Sequence, residues 1–151
     1  MQRILFICGS YLPEPSANAV CVVRLQECLK DREIESDVIC ESNEYKGIVQ
    51  GRYGEIYGIT PQKRNSENKK IAFLQKALHA ITYPINIQAV AKYEDAIHEM
   101  LLLHKYDLII CVLKPINGAV ACAKKCENYV IYECDSITNN ADNLYGVKQF
   151  L

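Results

Sequence analysis

The sequence predicts an α/β protein: a doubly wound, mostly parallel, Rossmann-like sheet in a single domain spanning 1–151. Three observations predict it. Ile4 to Cys8 and Asp107 to Val112 are apolar runs without alternation, the mark of strands covered on both faces. Stretches with helical spacing separate the strand-like runs, so the two kinds of element alternate along the chain. A length of 151 residues suits one hydrophobic core.

Each element has its own justification. After the first strand, Ser16 to Arg32 carries Ala19, Val22, Leu25 and Leu29 on one helical stripe. Ser16 is a fitting N-cap, because its hydroxyl accepts from the free amides of the first turn. Asp37 to Cys40 reads as a second strand, which completes a βαβ unit. Between Ser42 and Asn65 the glycines Gly47, Gly51, Gly54 and Gly58 interrupt the pattern, and only Glu55 to Thr60 reads as a strand. Two long helices are expected next, one on Ile71, Leu74, Leu78 and Ile81, the other on Val90, Tyr93, Ile97 and Leu101. Tyr83-Pro84 divides them. The strand Asp107 to Val112 leads through Lys114-Pro115 into a helix of small residues, including Gly118, Ala119, Ala121 and Ala123. Tyr129 to Cys134 is the fifth strand, and Asp135 to Leu151 a polar loop with the start of an amphipathic segment.

Bulk properties exclude several classes. A formal net charge of −1 and a pI near 6.3 do not suit wholesale nucleic-acid binding. The first apolar run is too short for a signal peptide and has no small-residue cleavage pattern after it. No run approaches the roughly 18 apolar residues that a membrane span needs. A cytoplasmic location is the expectation, with reduced thiols. Most of the eight cysteines then read as small core residues. Cys8, Cys40, Cys111 and Cys134 fall near the carboxyl ends of strands, but no Cys-x-x-Cys spacing exists, and no metal site is expected. Cys122 and Cys126 share a helix face. His79, His98 and His104 lie on the long helices, away from the expected crevice.

Ligands of doubly wound sheets bind outside the carboxyl ends of the strands, where the strand order reverses. The connection after the first strand usually lies there, which singles out Gly9, Ser10, Tyr11, Ser16, Ala17 and Asn18 as candidate binding residues. Gly9 allows close backbone approach, and the helix amides after Ser16 attract an anion. The alternative is a wide loop merely stiffened by Pro13 and Pro15. Neither the dinucleotide fingerprint nor the phosphate-loop signature is present.

Arg3-Ile4-Leu5-Phe6-Ile7-Cys8, then Tyr11-Leu12-Pro13, then Ser16-Ala17-Asn18-Ala19 and a helix through Leu25 to Leu29 resemble the N-terminal domain of GT-B-fold glycosyltransferases, family 4 in particular. Tyr106 to Cys111 with Lys114-Pro115 resembles that family's fourth strand and following loop, and Val130 to Asp135 its fifth strand. The family's Gly-Gly pair is Ala17-Asn18 here, and its Gly-His-Glu turn is Glu33-Ile34-Glu35. The resemblance implies the acceptor-side domain of an enzyme that moves a sugar from a nucleotide-sugar donor to a saccharide or lipid-linked acceptor, with retention. It implies that the donor is held mainly by a second, C-terminal domain that this chain lacks, so that this half alone is inactive. No cofactor is implied.

Within that reading Lys114 and Pro115 line the acceptor side, and Asp135 is a candidate acid or base. Each has a plainer alternative: Lys114 as a solvated loop lysine, Asp135 as a cap for the loop after it. Asn18 either offers its amide to a sugar hydroxyl or helps cap the helix. Tyr11 either stacks on a ring or is half-buried in the loop. Lys63, Arg64, Lys69 and Lys70 form a basic cluster that suits peripheral contact with a membrane surface, or simply a solvated face. The competing functional reading is a stand-alone flavodoxin-like binding module or a protein-docking domain.

Overall fold

The computed structural model describes residues 2–13, 16–61, 87–112 and 116–132. At its centre is strand β1 (Arg3–Cys8), in which Leu5, Phe6, Ile7 and Cys8 are all fully buried. A strand can bury consecutive side chains only when both faces are covered, because successive residues point to opposite sides. Phe6 and Cys8 pack with Val22 of helix α1 (Ala17–Lys30). On the other face Leu5 and Ile7 pack with helix α2 (Ile87–Leu103) and helix α3 (Ile116–Lys125).

β1 pairs in parallel with β2 (Glu35–Glu41) on one side and with β5 (Leu108–Val112) on the other. β2 pairs with β4 (Glu55–Ile59), and β5 with β6 (Tyr129–Tyr132), both in parallel. A short strand β3 (Gly47–Gln50) closes one edge antiparallel to β4. The sheet order is therefore β3-β4-β2-β1-β5-β6. The chain is a Rossmann-like α/β domain with a six-stranded, mostly parallel sheet. Taken alone, the parallel strands run third, second, first, fourth, fifth, the dinucleotide-fold order and not the flavodoxin one.

Two details depart from the sequence-based expectation. β3 falls in the glycine-interrupted stretch that was expected to hold one strand only. It has four residues, half-buried at best, and an edge strand of that kind leaves little hydrophobic signal. The buried stripe of α1 is Ala19, Val22 and Gln26, whereas Leu25 is 41% exposed. The helix turns a glutamine inward because every polar atom of it is used: Tyr11 Oη donates to Gln26 Oε1 (2.6 Å), and Gln26 Nε2 donates to the Ser36 carbonyl and hydroxyl (3.2 and 3.1 Å). Of the seven described cysteines four are buried and one is half-buried, as expected of most of them, and Cys21 and Cys28 are exposed on α1. The helix expected on Ile71 to Ile81, His79, and the cluster Lys63, Arg64, Lys69 and Lys70 lie outside the described residues.

Small residues set the close approaches. A Cβ at Gly118 of α3 would stand 2.9 Å from Ile7 Cγ2 and 3.3 Å from Tyr93 Cε1, so α3 presses directly on β1 and α2. A Cβ at Gly54 would collide with the Ser36 carbonyl and with Asp37 Oδ1. α1 ends in paired bonds, Glu33 N to the Lys30 carbonyl (3.0 Å) and Ile34 N to the Leu29 carbonyl (3.0 Å). That ending places Glu33 at φ 57°, the left-handed region that normally falls to glycine.

Below β1, at the amino end of the sheet, Asp37 is completely buried. Its Oδ2 accepts from Arg3 Nε (2.6 Å) and from Tyr106 Oη (2.8 Å), and its Oδ1 from the Glu55 amide (2.7 Å). The bond to Asp37 raises the Arg3 pKa, and burial first, then the same carboxylate, raises that of Tyr106. Asp37→Ala should lower unfolding stability by about 3 kcal/mol, since it strands a partly buried guanidinium and two donors. Tyr106→Phe should cost about 1 kcal/mol. Urea melts of the two variants check the ranking. Glu33→Gly should raise stability by about 1 kcal/mol by removing left-handed strain, read as a higher urea midpoint at unchanged slope.

Candidate functional site

Reversal of strand order between β1 and β5 leaves a crevice at their carboxyl ends, because α1 leaves toward one face and α3 lies on the other. Gly9 and Ser10 stand at its rim directly after β1, both half-buried. Ser16 closes the loop from the far side. Its hydroxyl lies 2.6 Å from that of Ser10 and accepts from the Ala19 amide at 3.0 Å. Ser16 thus caps α1 as its residue type suggests, and the bridge to Ser10 ties the helix start to the end of β1. The Leu12–Pro13 peptide bond is cis. Ala17 is exposed and Asn18 half-buried, both in the first turn of α1.

Of the residues singled out from the sequence, the fold brings Gly9, Ser10, Ser16, Ala17 and Asn18 to one place. Tyr11 follows the same loop but turns away from the crevice: its ring is 6% exposed, and its hydroxyl is committed to Gln26. Burial raises the Tyr11 pKa, so this phenol stays protonated and donates. Lys114, Pro115, Asp135 and Cys134 lie outside the described residues.

Beside the crevice, on the β2 side of β1, stands a further group, Glu41, that residue type alone does not single out. β2 runs one residue further than expected and ends in Glu41. Cys8 pairs with Cys40, so Glu41 continues β2 beside the point where Gly9 continues β1. Tyr93 of α2 donates to Glu41 Oε1 at 3.3 Å, and burial, with Glu41 next, pushes the Tyr93 pKa up. A half-buried carboxylate at a strand end, with one oxygen held by a phenol, is a preset acceptor for hydroxyl donors. The signal was an acidic residue directly after the apolar run Val38 to Cys40.

A second hollow of about 180 Å³ opens beside the crevice on the α1 face. Tyr11, Val23, Tyr45 and Ile56 wall it, and Arg52 and Tyr53 of the β3–β4 turn close one end. The Arg52 guanidinium lies 5.1 Å from the centre of the Tyr53 ring, within cation–π range. The hollow is smaller than the roughly 300 Å³ at which ligand pockets usually begin.

Two further facts bear on the membrane and metal questions. Among the described residues no helix is long and apolar enough to cross a membrane, and no three His, Cys, Asp or Glu side chains are grouped as a bound metal would need.

Ser16→Ala should lower unfolding stability by about 1 kcal/mol, with loss of the cap and of the bridge to Ser10. Urea denaturation measures it, and helix content by circular dichroism should stay near that of the parent. The chain matches no known protein family, and no curated protein matches it.

Proposed function

We propose that this domain binds a saccharide, as the acceptor-side half of a sugar-transferring enzyme of the GT-B, family 4 type. One observation carries the reading: the strand order gathers the Ser10 and Ser16 hydroxyls, the Asn18 amide and the Glu41 carboxylate at the carboxyl edge of β1 and β2. Hydroxyl and amide groups beside a carboxylate suit a neutral, many-hydroxyl ligand better than a phosphate. Hydroxyl and amide groups there can both donate and accept, and Glu41 accepts from sugar hydroxyls while Tyr93 fixes its rotamer.

A second feature supports the family resemblance. The position aligned with the family's turn glycine is Glu33, and its φ of 57° is the conformation that a glycine serves. In this reading the chain's own residues bind and orient the acceptor. The nucleotide-sugar donor is held mainly by a second domain, and the resemblance assigns Lys114, Pro115 and Asp135, which lie outside the described residues, to the acceptor. A lipid-linked acceptor would add peripheral contact with a membrane surface through the basic cluster Lys63, Arg64, Lys69 and Lys70.

Saturation-transfer NMR on the whole chain, with a panel of methyl glycosides, short oligosaccharides and a short-chain lipid-linked sugar, tests the proposal. Binding should appear for at least one saccharide. Asn18→Ala and Glu41→Gln should each weaken it by about 3–10-fold, the range of one hydrogen bond. No saccharide signal at millimolar ligand, or a signal that neither substitution changes, overturns the reading.

A further inference from the structure

The hollow on the α1 face has two unlike parts. Val23 of α1, Tyr11 and Ile56 of β4 give it apolar walls, with Leu12, 39% exposed, at the rim. Its closed end is the tight turn between β3 and β4. There the Gly51 amide donates to the Gly54 carbonyl at 2.8 Å, which leaves Arg52 and Tyr53 at the tip of the turn. A Cβ at Gly51 would stand 2.6 Å from Ile56 Cδ1, so the turn lies directly against an apolar wall.

This end carries positive charge that the protein does not neutralise. Tyr53 Oη donates to Glu27 Oε1 of α1 at 2.7 Å, which pins the ring to the helix. The Arg52 guanidinium stands 5.1 Å and the Lys30 ammonium 5.8 Å from the centre of that ring. Both lie within cation–π range, so one held tyrosine positions two cations. Among the described residues neither cation has an ion-pair partner, Glu27 included. The volume of about 180 Å³ slightly exceeds the roughly 150 Å³ of an apolar cavity that holds benzene. A sugar ring is a poor match, because Val23 and Ile56 would leave its hydroxyls unpaired. Neither Asn18 nor Glu41 lines the hollow, so its ligand is independent of one bound at the crevice.

We propose that this hollow is a binding site for a small carboxylic acid with a compact apolar body of about six carbons. The body covers Val23, Tyr11 and Ile56 and removes their apolar surface from water. The carboxylate faces Arg52, whose planar fork of N–H donors matches its two oxygens. Lys30 adds attraction from the other cation on Tyr53. Because the turn and Tyr53 already hold the guanidinium in place, little side-chain freedom is lost on binding.

The test is a two-dimensional proton–nitrogen NMR titration of the whole chain with cyclohexanecarboxylate at neutral pH. Saturable shifts should centre on the amides of Val23, Gly51 and Tyr53 and on the Arg52 Nε–H signal, with a Kd of about 1 mM for so small a ligand. The neutral cyclohexanecarboxamide should bind about tenfold more weakly, and so should the acid to Arg52→Gln. Val23→Phe fills the hollow from α1 and should abolish the shifts. Equal binding of acid and amide overturns the proposal, as does a titration that Arg52→Gln leaves unchanged or shifts that persist in Val23→Phe. So does the absence of saturable shifts in the unaltered chain at about 20 mM acid, a result that needs no variant to read.

Discussion

A single buried carboxylate holds the amino end of this fold together. Asp37 sits inside the sheet with no solvent exposure and offers its lone pairs to β1 through Arg3, to the start of β4 through the Glu55 amide and to the approach to β5 through Tyr106. Four segments distant in sequence are thereby fixed in one plane before any apolar contact is counted. An isolated charge at such a place would be prohibitive, and this one is tolerated because each oxygen is matched by a donor and the guanidinium neutralises it. Gly54 belongs to the same arrangement, since only a residue without a side chain lets the β3–β4 turn pass so close to that oxygen.

What the amino end fixes, the carboxyl end uses. With β1 held between β2 and β5, the helices that follow β1 and β5 lie on opposite faces, and the carboxyl edge of β1 and β2 carries polar side chains from three elements. None of these is a catalytic constellation by itself. They form a surface of hydroxyl, amide and carboxylate groups whose directions are already set by Ser16, Tyr93 and the cap of α1. Preset directions reduce the ordering cost of binding a flexible ligand.

The legible parts of the sequence were those where burial is complete. β1 and β5 announce themselves because a strand covered on both faces has no polar position to spare. The stripe of α2 is likewise read from spacing at Val90, Tyr93 and Ile97, while at its end Met100 is buried in place of Leu101. Reading failed where polar residues were satisfied by partners far away in sequence. Gln26 takes the place expected for Leu25 because Tyr11 and Ser36 meet it, and no local pattern carries that information. β3 was hidden by its glycine and its edge position. Of the site, the Ser16 cap and the Gly9–Asn18 loop were legible from residue type and topology. The inward turn of Tyr11 and the pairing of Glu41 with Tyr93 were not, because both depend on contacts between elements.

Gln26 has a consequence for how this helix is aimed. An apolar stripe alone tolerates a helix rotated by a fraction of a turn, since one oily contact is nearly as good as the next. A directional clasp between Gln26, the Tyr11 phenol and the Ser36 backbone removes that latitude. The rotational phase of α1 is thus locked from its middle, and with it the bearing of the first-turn amides over the crevice. A leucine in that place would give a greasier seat and a helix with no compass.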